Sequence, residues 1–165
     1  MVRVYLIRHA VAFDRDRKRW PDDRRRPLTP QGVRKFEKAA AGLKRIADPA
    51  ECVLVSPLVR ARQTADILTE VTDWPAAIEA TELAPGRTPA QALALIRSRP
   101  EKCLVLVGHE PNLSELLAVS IAGPGARVAC EFKKGGAASL TFAAPRAAHA
   151  SLDWLLSPKV LRALA

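Results

Sequence analysis

The stretch Val2-Arg3-Val4-Tyr5-Leu6-Ile7-Arg8-His9-Ala10 decides the fold. Its mostly apolar, β-prone residues from Val2 to Ile7 contain no turn former and stop at Arg8-His9. That is the pattern of a buried central strand carrying two polar residues to its C-terminal edge. In open α/β sheets ligands bind outside that edge, so His9 is a candidate nucleophile, with nearby cations as its helpers.

Working outward, Thr29 can cap a helix that starts at Pro30, where the missing N–H is not needed. Val33, Phe36, Ala40, Leu43 and Ala47 then recur at helical spacing, with Arg34, Lys35, Lys38, Lys44 and Arg45 on the other face. Cys52 to Val55 reads as a second buried strand, followed at Ser56-Pro57 by the same cap-and-proline device and a helix to about Glu70. Thr88-Pro89 opens a helix to about Ser98, Cys103 to Val107 is a strongly apolar strand ending at Gly108-His109, and Pro111 begins the next helix. Val128 to Phe132, Ser139 to Phe142 and Leu152 to Leu156 read as strands, Gly135-Gly136 as a hairpin turn, and Ser157-Pro158 as the start of a C-terminal helix. Strands alternating with helices imply an α/β fold, a three-layer α/β/α arrangement around a mainly parallel mixed sheet.

The chain of 165 residues is long enough for one domain with a sizeable core, and 48% hydrophobic content excludes global disorder. The longest uncharged runs, 116–126 and 135–145, contain Gly and Pro and are too short to cross a bilayer. With no secretory pattern at the start, a cytoplasmic protein with no membrane partner is expected. Cys52, Cys103 and Cys130 share no CxxC spacing and read as buried, reduced thiols, so neither metal nor cofactor is expected.

The net charge of +9 is uneven. Residues 1–50 hold 14 Lys and Arg against 6 Asp and Glu, a local charge of +8, and residues 51–165 hold 12 against 11, a charge of +1. Between Asp14 and Arg26, seven basic residues mix with Asp14, Asp16, Asp22 and Asp23 around Trp20. Such a run is either a solvated loop with internal ion pairs or a rim that attracts an anionic substrate or acidic protein face. No nucleic-acid-binding motif supports a nucleic-acid partner.

Three strand ends now present polar residues to one edge: Arg8-His9, Ser56 with Arg60 one helical turn later, and Gly108-His109. Two imidazoles and two guanidiniums at one point suit a tetrahedral dianion, because arginine offers a planar fork of donors and keeps its charge. Arg8-His9-Ala10, Leu28-Thr29-Pro30-Gln31-Gly32, Ser56-Pro57-Leu58-Val59-Arg60-Ala61-Arg62-Gln63-Thr64-Ala65 and Gly108-His109-Glu110-Pro111-Asn112 together resemble the histidine phosphatase superfamily. Within it they are similar to the short SixA-type phosphohistidine phosphatases along nearly the whole chain. One departure is Ala10, where the family pattern has glycine.

The resemblance implies a phosphoglycerate mutase-like fold and a metal-independent phosphatase for a phosphorylated substrate, above all protein phosphohistidine. It implies a phosphohistidine enzyme intermediate on His9, with Arg8, Arg60 and His109 around the phosphoryl oxygens. Glu82 is the nearest match to the family's general acid, with Asp14, Asp16 and Glu110 as competitors. A phosphatase for a small phosphomonoester or phosphoanhydride, and a non-catalytic phosphate or polyanion-binding module, are the alternatives.

Overall fold

A computed structural model describes all 165 residues. Val2–Arg8 forms the expected strand, β1, in a six-stranded mixed sheet. Cys52–Val55 is β2, the two-residue Ile78–Glu79 is β3, Cys103–Gly108 is β4, Ala137–Phe142 is β5 and Ala150–Leu156 is β6. The order is β3-β2-β4-β1-β5-β6. The first four of these are parallel, and β5 runs antiparallel to both β1 and β6. Arg8 stands opposite Gly108, and Val55 opposite Val107, so β1, β2 and β4 end at one level.

Pro30–Ile46 (α1), Val59–Thr72 (α2) and Pro158–Ala163 (α5) cover one face of the sheet, while Pro89–Ser98 (α3) and Asn112–Ala122 (α4) cover the other. Alternate strand residues feed two cores of similar size. Tyr5, Ile7, Val53, Val55, Val105 and Val107 pack with Phe36, Leu43 and Leu68, and Val4, Leu6, Leu54, Leu104 and Leu106 pack with Leu93, Ile96 and Leu117. Burial on both faces is why these strands read as continuous apolar runs instead of alternating ones. Tyr5 is stacked between Trp74 and Trp154, with ring centroids 6.1 and 5.8 Å away.

The helix signals hold where the cap is local. Thr29 accepts the Gly32 N–H at 2.9 Å, and Thr88 forms a reciprocal capping box with Gln91. Three expectations do not hold. The helix after β2 begins at Val59, with Leu58 at its N-cap and no side-chain cap; the hydroxyl of Ser56 instead lies 2.7 Å from His109 Nε2. Residues 128–132 form no strand. There the Phe132 N–H donates to the Glu110 carboxylate at 2.8 Å and its carbonyl accepts from Arg8, so neither is available to a sheet ladder. Gly135-Gly136 joins no two strands and is not a hairpin turn. The Gly135 N–H, at φ +80°, lies 3.1 Å from the carbonyls of both Arg8 and His9, a left-handed backbone that a side chain would strain.

Candidate active site

Backbone bonds fix the loop that carries His9. The His9 N–H donates to the Gly108 carbonyl at 3.0 Å, the Arg8 N–H to Gly136 at 3.1 Å, and the Ser56 N–H to Val107 at 3.0 Å. The next peptide is tied to α2: the Ala10 N–H donates to Thr64 Oγ1 at 3.0 Å, and that hydroxyl donates to the Arg60 carbonyl at 2.7 Å. The methyl of Ala10 is buried in the core against α1 and α2, so the departure from glycine is absorbed by packing.

His9 and His109 converge, with ring centroids 5.1 Å apart and planes inclined by 53°. Both are buried. His9 Nδ1 lies 2.7 Å from the Ala10 carbonyl. A carbonyl can only accept, so the proton sits on Nδ1 and the lone pair of Nε2 is free. Burial, with Arg60 and Arg8 adding repulsion, lowers the His9 pKa to about 3, against the bond to Ala10 that raises it. His109 is lowered to about 3 as well, by burial first and then by His9, Arg60 and Arg8. Both rings are therefore neutral near pH 7.

Arg8 and Arg60 line the same cleft as the two histidines, a space of about 330 Å³. Arg8 donates to the Phe132 carbonyl at 2.5 Å. Arg60, 3% exposed, donates to the Asp23 carbonyl at 2.9 Å and pairs with the Asp23 carboxylate at 3.2 Å. Each guanidinium retains a buried Nε–H with no acceptor in the protein. Burial lowers the Arg60 pKa from its ordinary value. The hydrogen bond from Arg26, with Arg60 nearby, holds the Asp23 carboxyl below the usual carboxylate range.

Arg26 is a site residue that the sequence reading did not single out. It is buried, it lines the cleft, and it is held by Asp23 at 2.7 Å and by the Phe13 carbonyl at 2.6 Å. No spacing rule marks it within a run of seven basic residues; only its packing distinguishes it. Lys134 also lines the cleft.

Of the carboxylates considered as proton donors, Asp14 and Glu110 line the cleft and Glu82 does not. Glu82 sits in the 3-10 turn Thr81–Leu83 and lines a narrow crevice together with Gly108, His109 and Asn112. Glu110 is held by the Phe132 N–H and by the Ser114 hydroxyl at 2.6 Å, and Asp14 is exposed. Asp16 points its carboxylate at the N–H groups of Lys18 and Arg19. No group of three or more His, Cys, Asp or Glu side chains is arranged to hold a metal ion.

The profile of the histidine phosphatase superfamily (branch 1) matches residues 4–84. An uncharacterized protein of Picosynechococcus sp. is 35% identical over 167 residues, covering 97% of this chain and 99% of that protein. Among solved structures, the protein histidine phosphatase SixA complexed with tungstate superposes with a TM-score of 0.85 at 26% identity, over 97% of this chain and 99% of that one. A putative phosphohistidine phosphatase SixA from Nakamurella multipartitia gives 0.74 at 26% identity, over 95% and 96%.

Proposed function

This chain belongs to the histidine phosphatase superfamily as a SixA-type phosphatase, and from that premise we propose that it removes phosphoryl groups from protein phosphohistidine without a metal. The observation that carries this reading is the joint placement of Arg8, His9, Arg60 and His109 around one cleft, with His9 Nε2 free.

His9 Nε2 attacks phosphorus in line, and the P–N bond to the substrate imidazole breaks as that nitrogen takes a proton. Water then attacks phosphohistidine-9, releasing inorganic phosphate and restoring the neutral ring. The Arg8 and Arg60 guanidiniums, with a donor from His109, hold the phosphoryl oxygens while charge spreads over them, the work a divalent cation does in nucleotide enzymes. Fixed charge on arginine is the support for metal independence. The departing imidazole needs only one proton, from water or from an acidic group at the site: Asp14 lines the cleft, and Glu82 lines the crevice that also meets His109. That modest demand favours a phosphoramidate over an alkyl ester, whose oxyanion is the poorer leaving group. Three unpaired thiols are compatible with a reducing, cytoplasmic setting.

The test is turnover of a phosphohistidine protein beside a small phosphomonoester, both with EDTA present. Faster, EDTA-insensitive turnover of the phosphohistidine protein is expected, and His9→Ala should abolish it in a folded chain. Radiolabel trapped on Ser56 in place of His9, or loss of turnover on chelation, defeats the proposal.

A further inference from the structure

Grooves of about 690 and 530 Å³ flank the cleft. Arg15 lines both the cleft and the larger groove, Pro85 both the cleft and the smaller one, and Asp23 lies in both grooves. The larger groove is lined by Arg15 and Arg17 with Asp16 and Asp23, the smaller by Arg24 and Arg87 with Asp23. Asp16 accepts the Lys18 N–H at 2.8 Å and Asp22 the Arg24 N–H at 3.0 Å, so both acids serve the loop's backbone. The loop's ion pairs all run through Asp23, to Arg26, Arg60 and Arg15. Arg17, Lys18, Arg24 and Arg25 are left exposed and unpaired, and Arg87 adds an exposed cation to the smaller groove. The indole Nε1–H of Trp20, a lining residue of the larger groove, has no acceptor in the protein. Cleft and grooves together are lined by eight Lys and Arg against four Asp and Glu, so positive charge is in excess beside His9.

We propose that these grooves dock an acidic polypeptide segment flanking the phosphorylated residue, with Arg17 and Arg24 as the principal contacts for its carboxylates. The inference rests on the phosphohistidine-protein reading and adds a sequence preference to it. Single-stranded nucleic acid fits less well, because it needs open aromatic faces for stacking. The rings of Phe13 and Trp20 lie 6.0 Å apart and are covered by the Arg19 guanidinium, 4.4 and 5.1 Å from their centroids.

The full chain and its Arg17→Glu/Arg24→Glu variant are assayed on three substrates: a phosphohistidine peptide with glutamate flanks, the same peptide with glutamine flanks, and an aryl phosphate. Binding of the unphosphorylated glutamate peptide is measured by fluorescence anisotropy. The wild type should show a KM about tenfold lower for the acidic peptide, lost in the variant and at high salt, because rim charges act through screened attraction. Aryl phosphate turnover should be unchanged, with Arg17→Gln/Arg24→Gln giving an intermediate KM. Equal KM for the two peptides in the wild type, parallel loss on all three substrates in both variants, or an oligouridylate displacing the acidic peptide at lower concentration than the peptide itself would overturn the proposal. Should neither phosphopeptide be hydrolysed while charge-dependent binding of the acidic peptide persists, the docking surface stands and the phosphohistidine reading fails.

Discussion

At the scale of single residues, the hydroxyl of Ser56 is fully buried, and its only close side-chain partner is His109 Nε2. The Leu58 N–H points at the same oxygen from 3.5 Å. Were Nε2 protonated, the hydroxyl hydrogen would be left in the interior without an acceptor, which costs on the order of 1–3 kcal/mol. The satisfied arrangement has Ser56 donating to Nε2, which places the ring's proton on Nδ1 as the donor left for a phosphoryl oxygen. Ser56→Ala should therefore remove one oriented donor from the phosphate cage. We expect kcat/KM to fall about tenfold, the equivalent of roughly 1.4 kcal/mol, with inhibition by inorganic phosphate weakened by a similar factor. Unchanged phosphate inhibition in a folded Ser56→Ala protein would show that the hydroxyl does not orient His109.

At the scale of elements, α1 is fixed by close backbone approach at two glycines. A Cβ on Gly42 would overlap the carbonyl of Leu161 in α5, and one on Gly32 the carbonyl of Val11. In a free helix Gly→Ala stabilises by roughly 0.5–1 kcal/mol. Here the sign reverses, because backbone atoms cannot move aside as a side-chain tip can, and overpacking of this kind costs about 1–3 kcal/mol. Gly42→Ala should lower the midpoint of urea denaturation, with Thr29→Ala, which removes the α1 cap and the hydroxyl's bond to the Val11 carbonyl, costing about 1 kcal/mol. A Gly42→Ala protein as stable as the wild type would mean that α5 is free to shift. The same contrast explains what the sequence disclosed. β1, β4 and the capped helices α1 and α3 were legible because period, cap and apolar run lie within a few residues of one another. Arg8, His9, Arg60 and His109 were legible because strand ends and one helical turn place them. The path of residues 128–132, the helix start at Val59 and the burial of Arg26 were not legible, since each is decided by a partner distant in the chain: Glu110, His109 and Phe13.

At the scale of the whole molecule, the site opposes the stability of the fold as the medium becomes acid. His9 and His109 are both held neutral, with pKa values lowered to about 3, by burial and by the neighbouring Arg60 and Arg8. In the unfolded chain each would titrate near its ordinary value of about 6.5. Between these limits the unfolded state binds two protons that the folded state excludes, so stability rises with pH through this window and is lost as pH falls through it. Each ring contributes a slope of about 1.4 kcal/mol per pH unit at full effect. Thermal midpoints measured from pH 7 down to pH 4 should fall steeply in the wild type and less in His109→Gln, where one of the two titrating rings is gone. Saturating inorganic phosphate should raise the midpoint at pH 7, since the anion binds the folded state alone and offsets the repulsion among the cleft's cations. If His109→Gln loses stability with acid as steeply as the wild type, the excluded protons belong elsewhere, and the clustered arginines do not suppress the charge on this imidazole.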